Sequence, residues 1–300
     1  MPVRIFNSSG RRAVLLNDAT APRTACLILP FHYLFRARTG DPPWNETEAG
    51  QWVETFERHA EQTWSHCWIV RGSRNDRDTW PCRRVPEFAR AWTGVCSGTH
   101  TLDVDVSVDA RTVSARPEGG RVFEADGPGA AFCREHRLLV FSVNVWHRRA
   151  DGGDSMGAVQ ERGDRGVIQL PQDGVALRRP LPGDPRTEGI EQRASDHEVG
   201  HALGQEHPLC ETNQLECYGV PGDQSQPLAP EAETLMGIGR RVSTRDYAPF
   251  ATMMAAVVTD YRWSVVAEPP GTPGDVRAGV PCASPFRRPS LYPTSVRQRA

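Results

Sequence analysis

A chain of 300 residues, 38% apolar and 24% charged, is long enough for one or two packed domains and too apolar to stay disordered. A formal net charge of -2 gives no basis for a nucleic-acid or anionic-membrane partner, and neither is expected. The longest apolar runs, Ala25 to Phe35 and Leu138 to Trp146, fall well short of the ~20 residues of a membrane-spanning helix. Arg4, Arg11 and Arg12 are followed only by Ala13 to Leu16, less than the ~7–15 residues of a signal-peptide core. No secretory signal is therefore expected. Export by a non-classical or injection route then stands beside a cytoplasmic location.

Residues 1–23 read as a polar lead-in with one short strand. Thr24 to Phe35 reads as a buried strand interrupted at Pro30. After the turn at Gly40 to Pro43, Asn45 starts a helix with a capping-box Glu48 three residues on. Ala49, Trp52, Val53, Phe56, Ala60 and Trp64 share its apolar face, and Trp64 to Val70 leads into a second strand. Residues 71–99, rich in Arg, Asp, Pro and Gly, read as an irregular insertion with one short helix near Pro86 to Trp92. Leu102, Val104 and Val106 alternate with Asp103, Asp105 and Ser107, the pattern of a half-buried strand with a solvated acidic face. Calcium is not expected there, because no tight glycine turn accompanies the aspartates.

Leu138 to Trp146 reads as a central strand, Ala150 to Asp154 as a loop and Val167 to Leu170 as a short strand. A Pro/Gly/Arg linker spans 171–187. A helix then runs from about Glu188 to Gln205, with Ile190, Ala194, His197 and His201 on one face. Residues 208–233 read as a long loop. A last helix starts between Ser243 and Asp246, has Pro249 in its first turn, and buries Tyr247, Phe250, Ala251, Met254, Val258 and Tyr261. From Glu268 onward the Pro/Gly/Arg/Ser-rich tail, 268–300, reads as irregular or disordered.

Chemistry concentrates in His197-Glu198-Val199-Gly200-His201-Ala202-Leu203-Gly204-Gln205-Glu206-His207. Histidines four apart lie one helical turn apart on one face, so both imidazoles reach a single ion. Gly204 accepts the left-handed conformation that ends a helix, and the turn brings His207 back as a third ligand. Three imidazoles leave one tetrahedral position open, the pattern of a catalytic zinc. Glu198, next to the first ligand, stands where a general base for a metal-bound water belongs. Among eight cysteines, Cys210 and Cys217 bracket a short loop just after the third histidine and are the pair most favourably placed to bridge. A bridge there would imply an oxidising compartment.

The eleven residues resemble the extended zinc signature of the metzincin metallopeptidases. The resemblance implies an α+β fold over roughly 24–267. It has an upper mixed sheet with helices (24–204), the zinc helix in a cleft, and a smaller lower C-terminal subdomain (205–267). It also implies a methionine turn beneath the metal, which Met236 in Leu235-Met236-Gly237-Ile238-Gly239 supplies. The strand before the zinc helix, Val167-Ile168-Gln169-Leu170, would offer an open edge to an extended peptide. Pro208 is similar to serralysins, but no tyrosine stands two residues after Met236, so Tyr218 and Tyr247 are the candidates for an extra oxyanion donor. The expected function is a zinc endopeptidase acting on protein or peptide, with delivery as a bacterial effector or toxin, and an inhibitor or immunity protein, as further expectations. Two alternatives stand beside it: a non-catalytic zinc-stabilised peptide binder, and a hydrolase of cell-wall peptide cross-links.

Overall fold

A computed structural model describes residues 3–6, 12–16, 23–65, 67–74, 100–117, 123–124, 128–135, 137–147, 158–162, 165–209, 216–259 and 261–266. Its strands are β1 (Val3–Phe6), β2 (Arg12–Leu16), β3 (Arg23–Arg36), β4 (Ile69–Arg74), β5 (His100–Pro117), β6 (Phe123–Glu124), β7 (Phe141–Trp146), β8 (Ala158–Arg162), β9 (Arg165–Pro171) and β10 (Arg262–Val266). Its α-helices are α1 (Glu46–Trp64), α2 (Pro128–Glu135), α3 (Ala194–Ala202) and α4 (Ala248–Val257). The class is α+β. Among the described residues no helix is long and apolar enough to cross a membrane.

One mixed sheet runs β10-β4-β5-β3-β7-β9-β8, with the β1–β2 hairpin added to β3 and β6 added to β5. Its middle, β5-β3-β7-β9, is parallel. Its flanks, β10-β4-β5 and β9-β8, are antiparallel. Parallel strands lie between covered faces and carry apolar runs, which is why β3 and β7 show as such in the sequence. Pro30 does not interrupt β3. Its missing N–H falls where pairing with β2 has ended at Ile28 and pairing with β7 begins at Phe31.

The Asn45 side chain accepts the Glu48 amide at 2.8 Å and caps α1 as the sequence predicts. All six residues of the predicted apolar face are buried. Phe31, Tyr33 and Phe35 of β3 meet Trp52 and Phe56 of α1 edge to face, a preferred aromatic geometry. These rings form the centre of the core between sheet and helix.

Several sequence expectations shift. Residues 71–74 belong to β4, not to the insertion. The acidic face of β5 is only partly solvated: Asp103 is exposed and paired with Arg71 at 2.6 Å, whereas Asp105 and Asp109 are buried. The lead-in carries β1 and β2 rather than one strand. The division after residue 204 is crossed at the far end of the chain, because β10 leaves the expected lower unit to pair with β4. The expected helix near Pro86 to Trp92, the loop at 150–154 and the tail from Glu268 lie outside the described residues.

Candidate metal centre

α3 is short, nine residues, instead of running from Glu188 to Gln205. Gly189 holds φ +80, and Arg178 and Gln192 exchange backbone hydrogen bonds at 2.8 and 3.0 Å, so the chain is extended until Arg193. Ile190 therefore leaves the histidine face and packs in a separate small cluster with Val220, Ala232 and Ile238. The start of α3 is tied to the end of α1. Trp64 Nε1 donates to the Asp196 carbonyl at 2.9 Å and Thr63 Oγ1 to its carboxylate at 2.8 Å. Burial raises the Asp196 carboxyl, opposed by the Thr63 hydrogen bond and by Arg193.

The C-terminus of α3 is a Schellman cap. Gly204, at φ +94, donates to His201 O at 2.9 Å, and Gln205 N donates to Gly200 O at 3.0 Å. Here the glycine is required by its backbone angle, and the reversal carries the chain back to His207. The loop is then latched to the segment before α4. Gln205 Nε2 donates to Asp246 O, and Arg245 donates to Pro208 O at 2.5 Å.

His197, His201 and His207 converge as predicted, forming a group that can hold a metal ion. His207 Nε2 lies 3.1 Å from His197 Nε2 and 2.9 Å from His201 Nε2. The opposite ring nitrogens meet carbonyls: His197 Nδ1 faces Leu235 O and His201 Nδ1 faces Gln205 O, each at 2.8 Å. A carbonyl only accepts, so both Nδ1 atoms carry the proton and both Nε2 atoms present lone pairs to the centre. A proton on His207 Nε2 could serve one of its two contacts; a cation serves all three nitrogens. Nitrogens bound to one tetrahedral zinc at ~2.0–2.1 Å stand about 3.3 Å apart, close to the spacing seen here. Burial, then the nearby His201, pushes His197 down to about 3 and His207 to about 4, so both are neutral donors at physiological pH.

Glu198 is buried, and its Oε2 has no hydrogen-bond partner among the described residues. Burial pushes its carboxyl up to about 8 in the metal-free chain. A nearby cation favours the charged carboxylate and opposes that shift.

Met236 is buried in a turn beneath α3. A Cβ at Gly200 would lie 2.3 Å from Met236 Sδ and 2.7 Å from Trp64 Cζ2, so helix, methionine and α1 meet with no room to spare. The turn delivers the Leu235 carbonyl to His197. Gln192, which sequence reasoning missed, holds that turn. Its Nε2 lies 2.8 Å from Leu235 O, 3.0 Å from Gly237 O and 3.2 Å from Gly239 O. A lone glutamine near the start of an expected helix carries no signal of this.

The two tyrosine candidates separate. The Tyr218 ring lies 4.0 Å from that of His207 and 5.8 Å from that of His197. Tyr247 is fully buried and donates to Trp64 O at 2.6 Å, far from a solvent-facing role. Val167 to Leu170 is not an open edge. β9 is paired with β7 on one side and β8 on the other, and β8 forms the rim of the sheet there among the described residues. The Cys210–Cys217 bridge is not formed: Cys217 is free, and Cys210 lies outside the described residues. Cys26 is disulfide-bonded, and Cys67 and Cys133 are free.

Comparison with family models, curated proteins and solved structures gave no match.

Proposed function

We propose that this chain is a zinc-dependent endopeptidase with a metzincin-like arrangement of site and sheet. One observation carries the reading. The ring nitrogens of His197 and His201 both stand within hydrogen-bonding distance of His207 Nε2, and Glu198, next in sequence to His197, has a buried carboxylate oxygen with no hydrogen-bond partner among the described residues. A purely structural site has no use for that oxygen, which argues against the zinc-stabilised binder. His197, His201 and His207 would hold the ion, and imidazole donors with one open position suit zinc. Bound there, zinc supplies Lewis acidity toward water and a scissile carbonyl.

The chain's own groups do the rest. Leu235 O and Gln205 O fix the tautomers of two ligands. Glu198 takes the proton of the attacking water and passes it to the departing amine. Tyr218, whose ring packs against His207, is the candidate phenol to donate to a developing oxyanion. The rim strand β8, rather than β9, offers backbone groups to an extended peptide. The Cys26 disulfide fits work in an oxidising compartment and so a route out of the cytoplasm.

Glu198→Gln tests the reading. It keeps size and removes the basic oxygen. The purified variant should retain a full equivalent of zinc and lose ~10²–10⁴ of the rate on an unfolded protein substrate such as casein. Near-wild-type hydrolysis at full zinc occupancy would sink the mechanism. A wild type that binds zinc yet cleaves nothing would return the chain to the non-catalytic binder.

A further inference from the structure

The hydrogen bonds around the methionine turn meet at one side chain. Gln192 is buried, and its Nε2 is within 3.3 Å of four atoms: Leu235 O, Gly237 O, Gly239 O and His197 Nδ1. Three of the four are carbonyls, which identifies the nitrogen end of the amide as the one facing them. His197 Nδ1 already donates to Leu235 O, so it does not accept from Gln192. Instead both donors share one acceptor. A carbonyl has two lone pairs, and Leu235 O spends one on each.

The surroundings fix this acceptor from both sides. Gln192 cannot drift, because its backbone is bonded on both polar groups to Arg178. The turn cannot spread, because Leu235 N donates to Arg241 O at 2.8 Å and Gly239 N to Thr234 O at 3.0 Å. It cannot take a Cβ at Gly239 either, where one would lie 2.0 Å from Glu233 O. Without the Gln192 amide, the Gly237 and Gly239 carbonyls would lose their donor and Leu235 O would keep only His197 Nδ1, leaving three inward carbonyls to repel one another.

We infer that Gln192 is a positioning residue for the metal: by holding the Leu235 carbonyl it sets the tautomer and ring angle of His197, and through it the affinity of the three-histidine centre. The inference rests on the metal-centre reading above and adds a residue to it. It concerns ion binding, so it is tested without any substrate.

Gln192→Met keeps the length and removes the donor. Thr234→Ala is the control. Thr234 Oγ1 donates to Glu231 O at 2.6 Å and accepts from Gly237 N at 3.2 Å, so its loss loosens the same turn without touching His197. Metal-free proteins are titrated with zinc against a chromophoric chelator, and cobalt-loaded proteins are read by their visible ligand-field bands. Supporting bonds to a ligand histidine are typically worth 10–100-fold in metal affinity. Gln192→Met should therefore bind zinc about 10–100-fold more weakly and shift the cobalt bands, while Thr234→Ala melts earlier but binds like the wild type. If Gln192→Met does not fold, Gln192→Asn, which keeps the amide one methylene short, is titrated in its place and should lie between. Equal affinity and an unchanged spectrum for the glutamine variants overturns the inference, as does an equal loss in Thr234→Ala. A wild type that binds no metal overturns the metal-centre reading itself, a separate result.

Discussion

The sheet half and the site half of this protein are held by different forces. In the first, β3, β5, β7 and α1 bury apolar side chains between backbone ladders. In the second, from Gln172 to Tyr247, regular structure is scarce. Side chains bond to carbonyls: Gln192 to Leu235, Gly237 and Gly239; Gln205 to Asp246; Arg245 to Pro208; and Arg186 to Pro221, Asp223 and Gln226. A core of many small contacts loses stability gradually when one is removed. A loop assembly held by a few polar bonds, together with any ion its three histidines take up, would lose its shape at once when that ion left.

The contrast is sharpest under metal removal, which should have the largest effect. On the proposed function, chelation should abolish peptide hydrolysis and raise amide hydrogen exchange across 194–209 and 234–239, leaving β3 and β7 as protected as before. Exchange that rises equally in both halves would erase the distinction. Phe56→Ala attacks the other half. Phe56 is fully buried against Phe31 and Tyr33, so its truncation should cost about 3–5 kcal/mol in denaturant unfolding. The folded variant should still titrate zinc like the wild type.

Gly200→Ala probes the seam. The added methyl meets Met236 and Trp64 together, so the expected cost is about 1–3 kcal/mol. Unlike Phe56→Ala it should also weaken zinc binding; unaltered affinity would show that the two halves are not coupled there. The smallest effect belongs to Asn45→Ala, which removes the α1 cap and should cost about 1 kcal/mol by thermal melting, with zinc binding and hydrolysis unchanged.

The same divide governs what the sequence reveals. The cap at Asn45, the apolar face of α1 and the runs of β3 and β7 are local patterns that repeat at the helical or strand period, and the structure contains them. The ligand set is local too, because helical spacing and one glycine bring three histidines together. What is missing from the sequence reading is long-range or polar. β8 and β10 are short strands of mixed polarity, recognisable only from their partners. Their omission led to β9 being taken for an edge and β10 being left in the lower unit. Gln192 and Arg245 act on carbonyls far along the chain, and no periodicity marks them. The start of α3 was misplaced because Gly189 and the Arg178–Gln192 bridge stop a helix that the apolar spacing favours.

The latch on the His207 loop also sets a timetable for synthesis. Gln205 is anchored on Asp246, 41 positions later in the chain. At about 5–20 residues per second, a ribosome needs roughly 2–8 s to cover that distance. By then β3, β5, β7 and β9 have all been made and can pair. A growing chain therefore holds the parallel middle of its sheet and all three histidines for some seconds before it holds the clasp on the His207 loop. If the chain is the peptidase proposed above, it is thus inert while it is still tethered among other nascent proteins.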